Sequence, residues 1–149
     1  MSPLSHGFLM YLYAEALMNR DLTLEEITED YFSHIYGKDW QEAESLLSRM
    51  TNAFDFAYME GTKSKNRAIS LYYDPERAPR LAAIAELCAE EKALAQKHLA
   101  CPTRPQTVSW RLLELHAEYC DYFCEVMKAK AAGQNFKAAA LAQKFADEF

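Results

Sequence analysis

The stretch FLMYLYAEALM, residues 8–18, decides how the rest of this sequence is interpreted. Every residue in it except Glu15 is apolar or aromatic. A surface helix of a small protein keeps one polar face, whereas a helix that is apolar on all sides is buried on all sides. Three arrangements would cover such a helix: the centre of a helical bundle, a preceding domain, or a second copy of the chain. The sequence leaves all three open.

Helix start and stop signals surround this stretch. Ser2-Pro3 is a cap followed by a first-turn proline, so the first helix is predicted to run from there to about Met18. Thr23 and Glu26 have the spacing of a capping box, which predicts the start of a second helix. Gly37 is predicted to end that helix in the left-handed conformation. The inward face of the second helix is predicted to carry Leu24, Ile27, Tyr31 and Ile35.

The middle of the chain predicts two further helices with a break between them. Asp39 starts a third helix that is predicted to end at Gly61, and residues 62–73 are interpreted as a loop. A fourth helix follows, and it begins at Asp74-Pro75 or at Pro79, since proline is tolerated in a first turn.

The last third of the chain predicts two helices joined by a glycine turn. The fifth helix covers residues 107–132, after the segment CPTRPQT, whose two prolines are incompatible with a helix interior. Gly133 ends it, and a sixth helix follows. The inward stripe of the fifth helix is predicted to be Val108, Leu112, Leu115, Tyr119, Tyr122 and Val126.

Composition agrees with this pattern of helices. Half of the 149 residues are apolar, and only 4 Gly and 5 Pro argue against a turn-dense β fold. We therefore predict an all-α fold in which residues 1–149 form a single-domain bundle of about six helices. A net charge of −6 disfavours nucleic acid as a partner. No membrane partner is expected, because residues 8–18 fall short of the roughly 20 apolar residues of a membrane span.

The residues best suited to metal binding are His98, Cys101, His116 and Cys120. Nitrogen and sulfur ligands of this kind suit zinc, and His116 with Cys120 also has the spacing of a Cys–His nucleophile pair. Ligands stacked along one helix lie too far apart to share an ion, and no orienting third group is identifiable. We therefore predict that these side chains pack in the core, with no metal, no cofactor and no catalysis by this chain alone.

Cysteine usage bears on the compartment. The four cysteines, at positions 88, 101, 120 and 124, form no disulfide framework. This favours a reducing compartment such as the cytoplasm, although it does not fix the localisation.

Carboxylates and aromatic side chains offer further candidates. The adjacent pairs Glu25-Glu26, Glu90-Glu91 and Asp147-Glu148 point apart on a helix and are predicted to lie on solvated faces. Aromatic residues at helix starts and loop ends either stack on sugar rings or form core edges. The candidate interface residues are Phe8, Tyr11, Leu12, Trp40, Tyr72 and Tyr73.

Two segments resemble a known family. They are YLYAEALMNRDLTLEEITEDYFSHIYGKDWQEAESLLSRM, residues 11–50, and RLLELHAEYCDYFCEVMKAKAAGQNFKAAA, residues 111–140. Their order of helix, short acidic segment, helix ending in His-Ile-Tyr-Gly, and long helix resembles the helical region that follows the barrel in glycoside-hydrolase-like bacterial proteins. These proteins are related in layout to α-glucuronidases and β-hexosaminidases.

The resemblance implies a non-catalytic accessory module, and a C-terminal part of a longer protein, because the catalytic residues of that family lie in the barrel. Its partners would be the preceding catalytic-type domain and, through the parent protein, carbohydrate. The alternative is a stand-alone helical module for protein–protein interaction or dimerisation through residues 8–18. A third hypothesis is a small metal-dependent enzyme that uses His98, Cys101, His116 and Cys120.

Overall fold

The computed structural model describes residues 3–19, 21–54 and 78–148, with side chains from residue 7 onward in the first helix and from residue 79 in the helix that begins at Ala78. These residues form α-helices and contain no strand, which confirms the all-α class. The helices are α1 (Pro3–Met18), α2 (Leu24–Tyr36), α3 (Trp40–Ala53), α4 (Ala78–Lys97), α5 (Arg104–Ala131) and α6 (Asn135–Glu148), with a short 3₁₀ turn at Gly37–Asp39. The loop predicted at 62–73 lies outside the described residues.

Local capping chemistry sets the start of α2. The Thr23 hydroxyl accepts from the backbone N–H of Glu26 at 3.2 Å, and the Glu26 carboxylate accepts from the backbone N–H of Thr23 at 2.8 Å. This reciprocal pair is the predicted capping box. Gly37 follows the helix with a φ of 81° and a ψ of −150°. Its positive φ was predicted, but its ψ is extended rather than left-handed helical.

Three helix bounds differ from the predictions. α3 ends at Ala53 rather than Gly61, because Phe54 adopts an extended conformation with a ψ of 127°. α4 begins at Ala78, which agrees with the start near Pro79 rather than Asp74-Pro75. α5 begins at Arg104, earlier than predicted, because Pro105 falls in the first turn, where its missing N–H costs no hydrogen bond.

The buried side chains form two clusters. The first, which we call the tryptophan core, joins α2, α3, α4 and α5 and contains Phe32, Tyr36, Ala43, Ala95, Trp110 and Leu113. The second, which we call the cysteine core, joins α3, α4 and α5 and contains Met50, Leu81, Ile84, Cys88, Cys120, Cys124, Met127 and Ala131. Because α5 contributes to both, it is the axis of the fold.

The predicted inward stripe of α5 is wrong. Val108, Leu112 and Leu115 are 49%, 45% and 38% exposed. The buried face instead carries the large residues Trp110, Leu113 and Met127 together with small alanine and cysteine residues. The apolar residues of the buried face and those of the outward face of α5 both recur at helical spacing. The outward face has the more hydrophobic Leu and Val residues, so the sequence pattern favoured it as the buried one. Farther along, α6 covers this outward face, where Phe145 packs on Tyr119 with ring centroids 5.2 Å apart.

α1 lies at the edge of the described helices, so the centre of the bundle, which was one of the three arrangements left open by the sequence, is not its position. Its main packing partner is α2. Phe8 lies against Tyr31 and Phe32, with ring centroids 5.3 Å and 5.4 Å away. A Cβ at Gly7 would lie 2.5 Å from the Tyr31 hydroxyl oxygen, so a larger residue there would require the Tyr31 side chain to move. The first residue of α2's predicted stripe, Leu24, is exposed.

Candidate functional site

The most prominent surface feature is the side of α1 that faces away from α2. Leu9, Tyr13 and Leu17 recur every four residues and are 46%, 65% and 79% exposed. Met10 lies beside this row, and Met18 extends it at the end of the helix, both largely exposed. We call these five residues the α1 outer face. Single exposed apolar residues are ordinary, but a contiguous row on one helix marks an interaction surface.

The α1 outer face is free of charge. The sole charged residue between Pro3 and Met18 is Glu15, whose carboxylate accepts a hydrogen bond from the Asn19 side chain at 2.7 Å. Such a surface gains free energy by leaving water, at about 25 cal/mol per Å² of apolar area, and has no cost of charge desolvation. Among the described residues, no helix combines the length and apolar character that a membrane crossing requires.

The candidate interface residues named from the sequence lie on a different side. Phe8 and Tyr11 face α2, where the Tyr11 hydroxyl donates to the Asp30 carboxylate and its ring lies 5.4 Å from that of Tyr31. This hydrogen bond to Asp30 raises the pKa of Tyr11 to about 12. Leu12 is half-buried, in line with its neighbours on that side.

Of the remaining aromatic candidates, Trp40 is less accessible than a sugar-binding surface requires. Trp40 is half-buried and stacks on Phe32, with ring centroids 6.4 Å apart. It is therefore a core edge rather than a free platform. Tyr72 and Tyr73 lie outside the described residues.

A second feature is a buried chain of three polar side chains. Oε1 of Glu91 lies 2.7 Å from Nδ1 of His116, and Nε2 of His116 lies 3.5 Å from Sγ of Cys120. The Glu91 side chain is fully buried and its Oε2 has no hydrogen-bond partner in the described part of the chain. The prediction that Glu91 lies on a solvated face with Glu90 is therefore wrong. Neighbouring helix residues point apart, and here one of the pair points into the core.

This acid–imidazole–thiol order has the geometry of a nucleophile, its base and an orienting group. Its surroundings oppose ordinary catalysis. Cys120 is only 5% exposed, and a hydrogen bond with Cys88 together with burial raises the pKa of its thiol far above the usual range. A thiol that is buried and held protonated is not a catalytic nucleophile in the sense of a cysteine hydrolase. The Cys120 thiol is placed to give its proton to His116, but at 5% exposure it offers little contact to a large substrate.

The four metal candidates are divided between the two cores. His98 lies in the tryptophan core, stacked on Trp110 at 4.4 Å, and the Cys101 thiol donates to the His98 carbonyl at 2.9 Å. His116 and Cys120 belong with the cysteine core. In the parts of the chain that the structure describes, no three His, Cys, Asp or Glu side chains are placed to hold a metal ion.

A cleft of about 740 Å³ lies beside His98, where the 3₁₀ turn meets the loop between α4 and α5. Lys38, Lys97 and Asp39 line it, so both signs of charge are present. The Asp39 carboxylate lies 3.5 Å from Nδ1 of His98, and Lys97 is paired with Glu42 at 3.4 Å. The Lys97 ammonium is thus engaged by Glu42, and the Asp39 carboxylate places a negative charge in the cleft that opposes an anion.

The sequence did not show which residues of α1 form its outer face, and it did not show that Glu91 is buried. The alternation of inward and outward residues in α1 carries no sequence signal because both sides are apolar. Glu91 and His116 are 25 residues apart on different helices, so no local motif links them.

No protein-family model matches this chain, and no curated protein or solved structure matches it either.

Proposed function

We propose that this chain is a non-catalytic helical accessory module that docks through the α1 outer face onto a glycoside-hydrolase-like catalytic domain of the same polypeptide. The observation that carries the docking role is the exposed, uncharged row of Leu9, Tyr13 and Leu17. The class of partner is supported by the resemblance of residues 11–50 and 111–140 to the helical region that follows such barrels.

The size of the surface favours a linked domain over a free dimer. α1 has 16 residues, so it is about 24 Å long and about 10 Å wide, and one face offers roughly 250 Å² in projection. Docking removes area from both partners, and the uneven surface of the side chains is larger than its projection. The interface would therefore bury roughly 500–1,000 Å² in total, which fits interfaces between domains of one chain. Stable complexes of separate proteins bury about 1,200–2,000 Å². A covalent connection supplies the missing affinity through effective concentration.

The first test compares the α1 outer face with an equally exposed apolar residue elsewhere. A variant with Leu9→Gln, Tyr13→Gln and Leu17→Gln is matched by Leu112→Gln on α5, since Leu9 is 46% and Leu112 45% exposed. We expect the wild-type protein to be monomeric by light scattering and to bind the apolar dye anilinonaphthalene sulfonate. The dye signal should fall strongly in the triple variant and little in Leu112→Gln.

Two outcomes would overturn this proposal. A concentration-dependent dimer that only the α1 variant abolishes would assign the α1 outer face to self-association. Reproducible hydrolysis of an aryl glycoside by the purified chain would contradict a non-catalytic role.

The catalytic-domain partner is tested at the gene. A reading frame that continues upstream of the Met1 codon into a barrel-sized coding region would support it. A stop codon and a ribosome-binding site directly upstream would overturn it.

A further inference from the structure

The buried chain Glu91–His116–Cys120 has no role in docking, because it lies in the interior at the contact of α4 and α5. Cys88 belongs to the same core cluster as Cys120, and its interaction with Cys120 is the largest cause that raises the pKa of the Cys120 thiol. Two thiols, an imidazole and a carboxylate are therefore gathered in one part of the core. That grouping exceeds what packing alone requires, since apolar side chains of matching size would fill the same space without the cost of burying polar groups.

The tautomer of His116 follows from its neighbours. A carboxylate accepts hydrogen bonds, so Nδ1 of His116 carries the hydrogen that it donates to Glu91. Nε2 then presents its lone pair to the Cys120 thiol at 3.5 Å. His116 is thus arranged as a base for Cys120, and Glu91 stabilises the imidazolium that forms when the thiol proton arrives.

We infer that Cys120 is a site of oxidation by hydrogen peroxide or a comparably small peroxide, with His116 as its base and Cys88 as the thiol that captures the product. In the first step, Sγ of Cys120 attacks one peroxide oxygen, so an S–O bond forms as the O–O bond breaks. The thiol proton passes to Nε2 of His116 and on to the departing hydroxide, which leaves as water. Sulfur loses two electrons, the peroxide gains them, and Cys120 becomes a sulfenic acid.

The second step closes a disulfide. Sγ of Cys88 attacks the sulfenic sulfur of Cys120, an S–S bond forms, and the hydroxyl leaves with the Cys88 proton as a second water. The sum consumes one peroxide and two thiols and yields one disulfide and two waters. This product links α4 to α5 across the cysteine core.

The burial of Cys120 limits the oxidant to small molecules and makes His116 necessary as the base that takes the thiol proton. Burial and the hydrogen bond with Cys88 keep the resting thiol protonated, so proton removal must accompany the attack on peroxide. Hydrogen peroxide is neutral and near the size of water, and it can enter through the local openings that packed helices undergo. Larger or charged reagents are excluded.

The molecule contains its own control thiol. Cys124 lies one turn further along α5, is fully buried, and has burial as the chief cause that raises its pKa to about 12. Opening of the core exposes Cys120 and Cys124 alike, but only Cys120 contacts His116 among the hydrogen bonds of the described residues. The ratio of the Cys120 oxidation rate to the Cys124 oxidation rate therefore measures the effect of His116, because burial affects both thiols.

The experiment treats the full reduced chain with hydrogen peroxide, removes the peroxide with catalase, and unfolds each sample in denaturant that contains dimedone, so that the reagent reaches buried sulfenic acids. Each cysteine is then followed by peptide mass spectrometry. Cys120 should be oxidised at least tenfold faster than Cys124. His116→Gln should slow Cys120 by roughly 10²-fold, the lower end of what a positioned base contributes. His98→Gln, which changes the other buried histidine, should leave the Cys120 rate unchanged. Cys88→Ser should replace the disulfide by a dimedone adduct on Cys120.

The Cys124 rate separates the role of His116 from a loss of fold. A loosened His116→Gln core would speed oxidation of Cys124, so a slower Cys120 beside an unchanged or faster Cys124 identifies lost base action. Equal rates for Cys120 and Cys124 in the wild type, or a Cys120 rate that His116→Gln leaves unaltered, would overturn the inference. A disulfide that persists in Cys88→Ser would overturn the role of Cys88.

Discussion

Replacing either member of the buried Glu91–His116 pair alone should strongly destabilise the fold, whereas replacing both together should not. Glu91 is fully buried and the side chain of His116 is 15% exposed, with 2.7 Å between Oε1 and Nδ1. Each polar group is satisfied mainly by the other. The variants Glu91→Met and His116→Leu keep comparable volume while they remove one polar group each.

The magnitude follows from what each variant leaves behind. His116→Leu leaves the Glu91 carboxylate buried without compensation, which costs about 3–5 kcal/mol. Glu91→Met leaves the Nδ1–H of His116 buried without its acceptor, which costs about 1–3 kcal/mol. Replacing both by apolar residues of similar size is neutral or stabilising by about 1–4 kcal/mol in comparable cases. The two single costs add to roughly 4–8 kcal/mol, so the double variant should depart from additivity by at least about 4 kcal/mol.

Urea unfolding followed by far-ultraviolet circular dichroism measures this difference. With a slope of about 2 kcal/mol per molar urea, His116→Leu should lower the midpoint by roughly 2 M and Glu91→Met by roughly 1 M. The neighbouring residue provides the control. Glu90 is paired with Arg49 at 2.7 Å, but both side chains are about half exposed. Glu90→Met should cost less than about 1 kcal/mol, as exposed ion pairs do.

Additive effects of Glu91→Met and His116→Leu would refute this reasoning, because they would show that the two side chains do not depend on each other. An effect of Glu90→Met as large as that of Glu91→Met would refute it as well. Burial would then not be what distinguishes the two adjacent carboxylates.

Three further predictions test individual contacts. Thr23→Ala should cost about 1 kcal/mol in urea unfolding, because it removes the hydroxyl that caps α2. Trp110→Phe should cost at least about 1–3 kcal/mol, since the indole N–H donates to the Tyr36 carbonyl at 3.1 Å and that buried acceptor would lose its donor. Burial raises the pKa of Tyr36. The unfolded state therefore loses this proton first, stability falls as pH rises above about 10, and Tyr36→Phe should flatten the alkaline decline of the urea midpoint.

Features governed by neighbouring residues could be predicted from the sequence. The capping box at Thr23 depends on two residues three positions apart, and the geometry is fixed within one turn. The end of α2 at Gly37 has the same local origin. The all-α class follows from many such signals together.

Features decided by competition between faces could not be predicted. In α5, Leu112 and Leu115 outweigh Ala117 and Cys120 in any count of apolar character, yet the smaller residues are the buried ones. Small side chains allow two helices to pack densely, and dense packing stabilises the fold. The periodicity of apolar residues in a sequence does not show how densely a face will pack. Glu91 is the same kind of case, because its burial depends on His116 on the opposite helix.

The contrast between α1 and α5 separates the two meanings of an exposed apolar row. The row of Val108, Leu112 and Leu115 continues into a part of α5 that α6 already covers, and α5 keeps its position through two cores on its other side. Among the helices that the structure describes, α1 packs mainly on α2. A helix with so little burial gains proportionally more from a partner than α5 does. For that reason we expect docking on the α1 outer face to stabilise α1 itself, whereas docking on the α5 row would add little to the stability of α5.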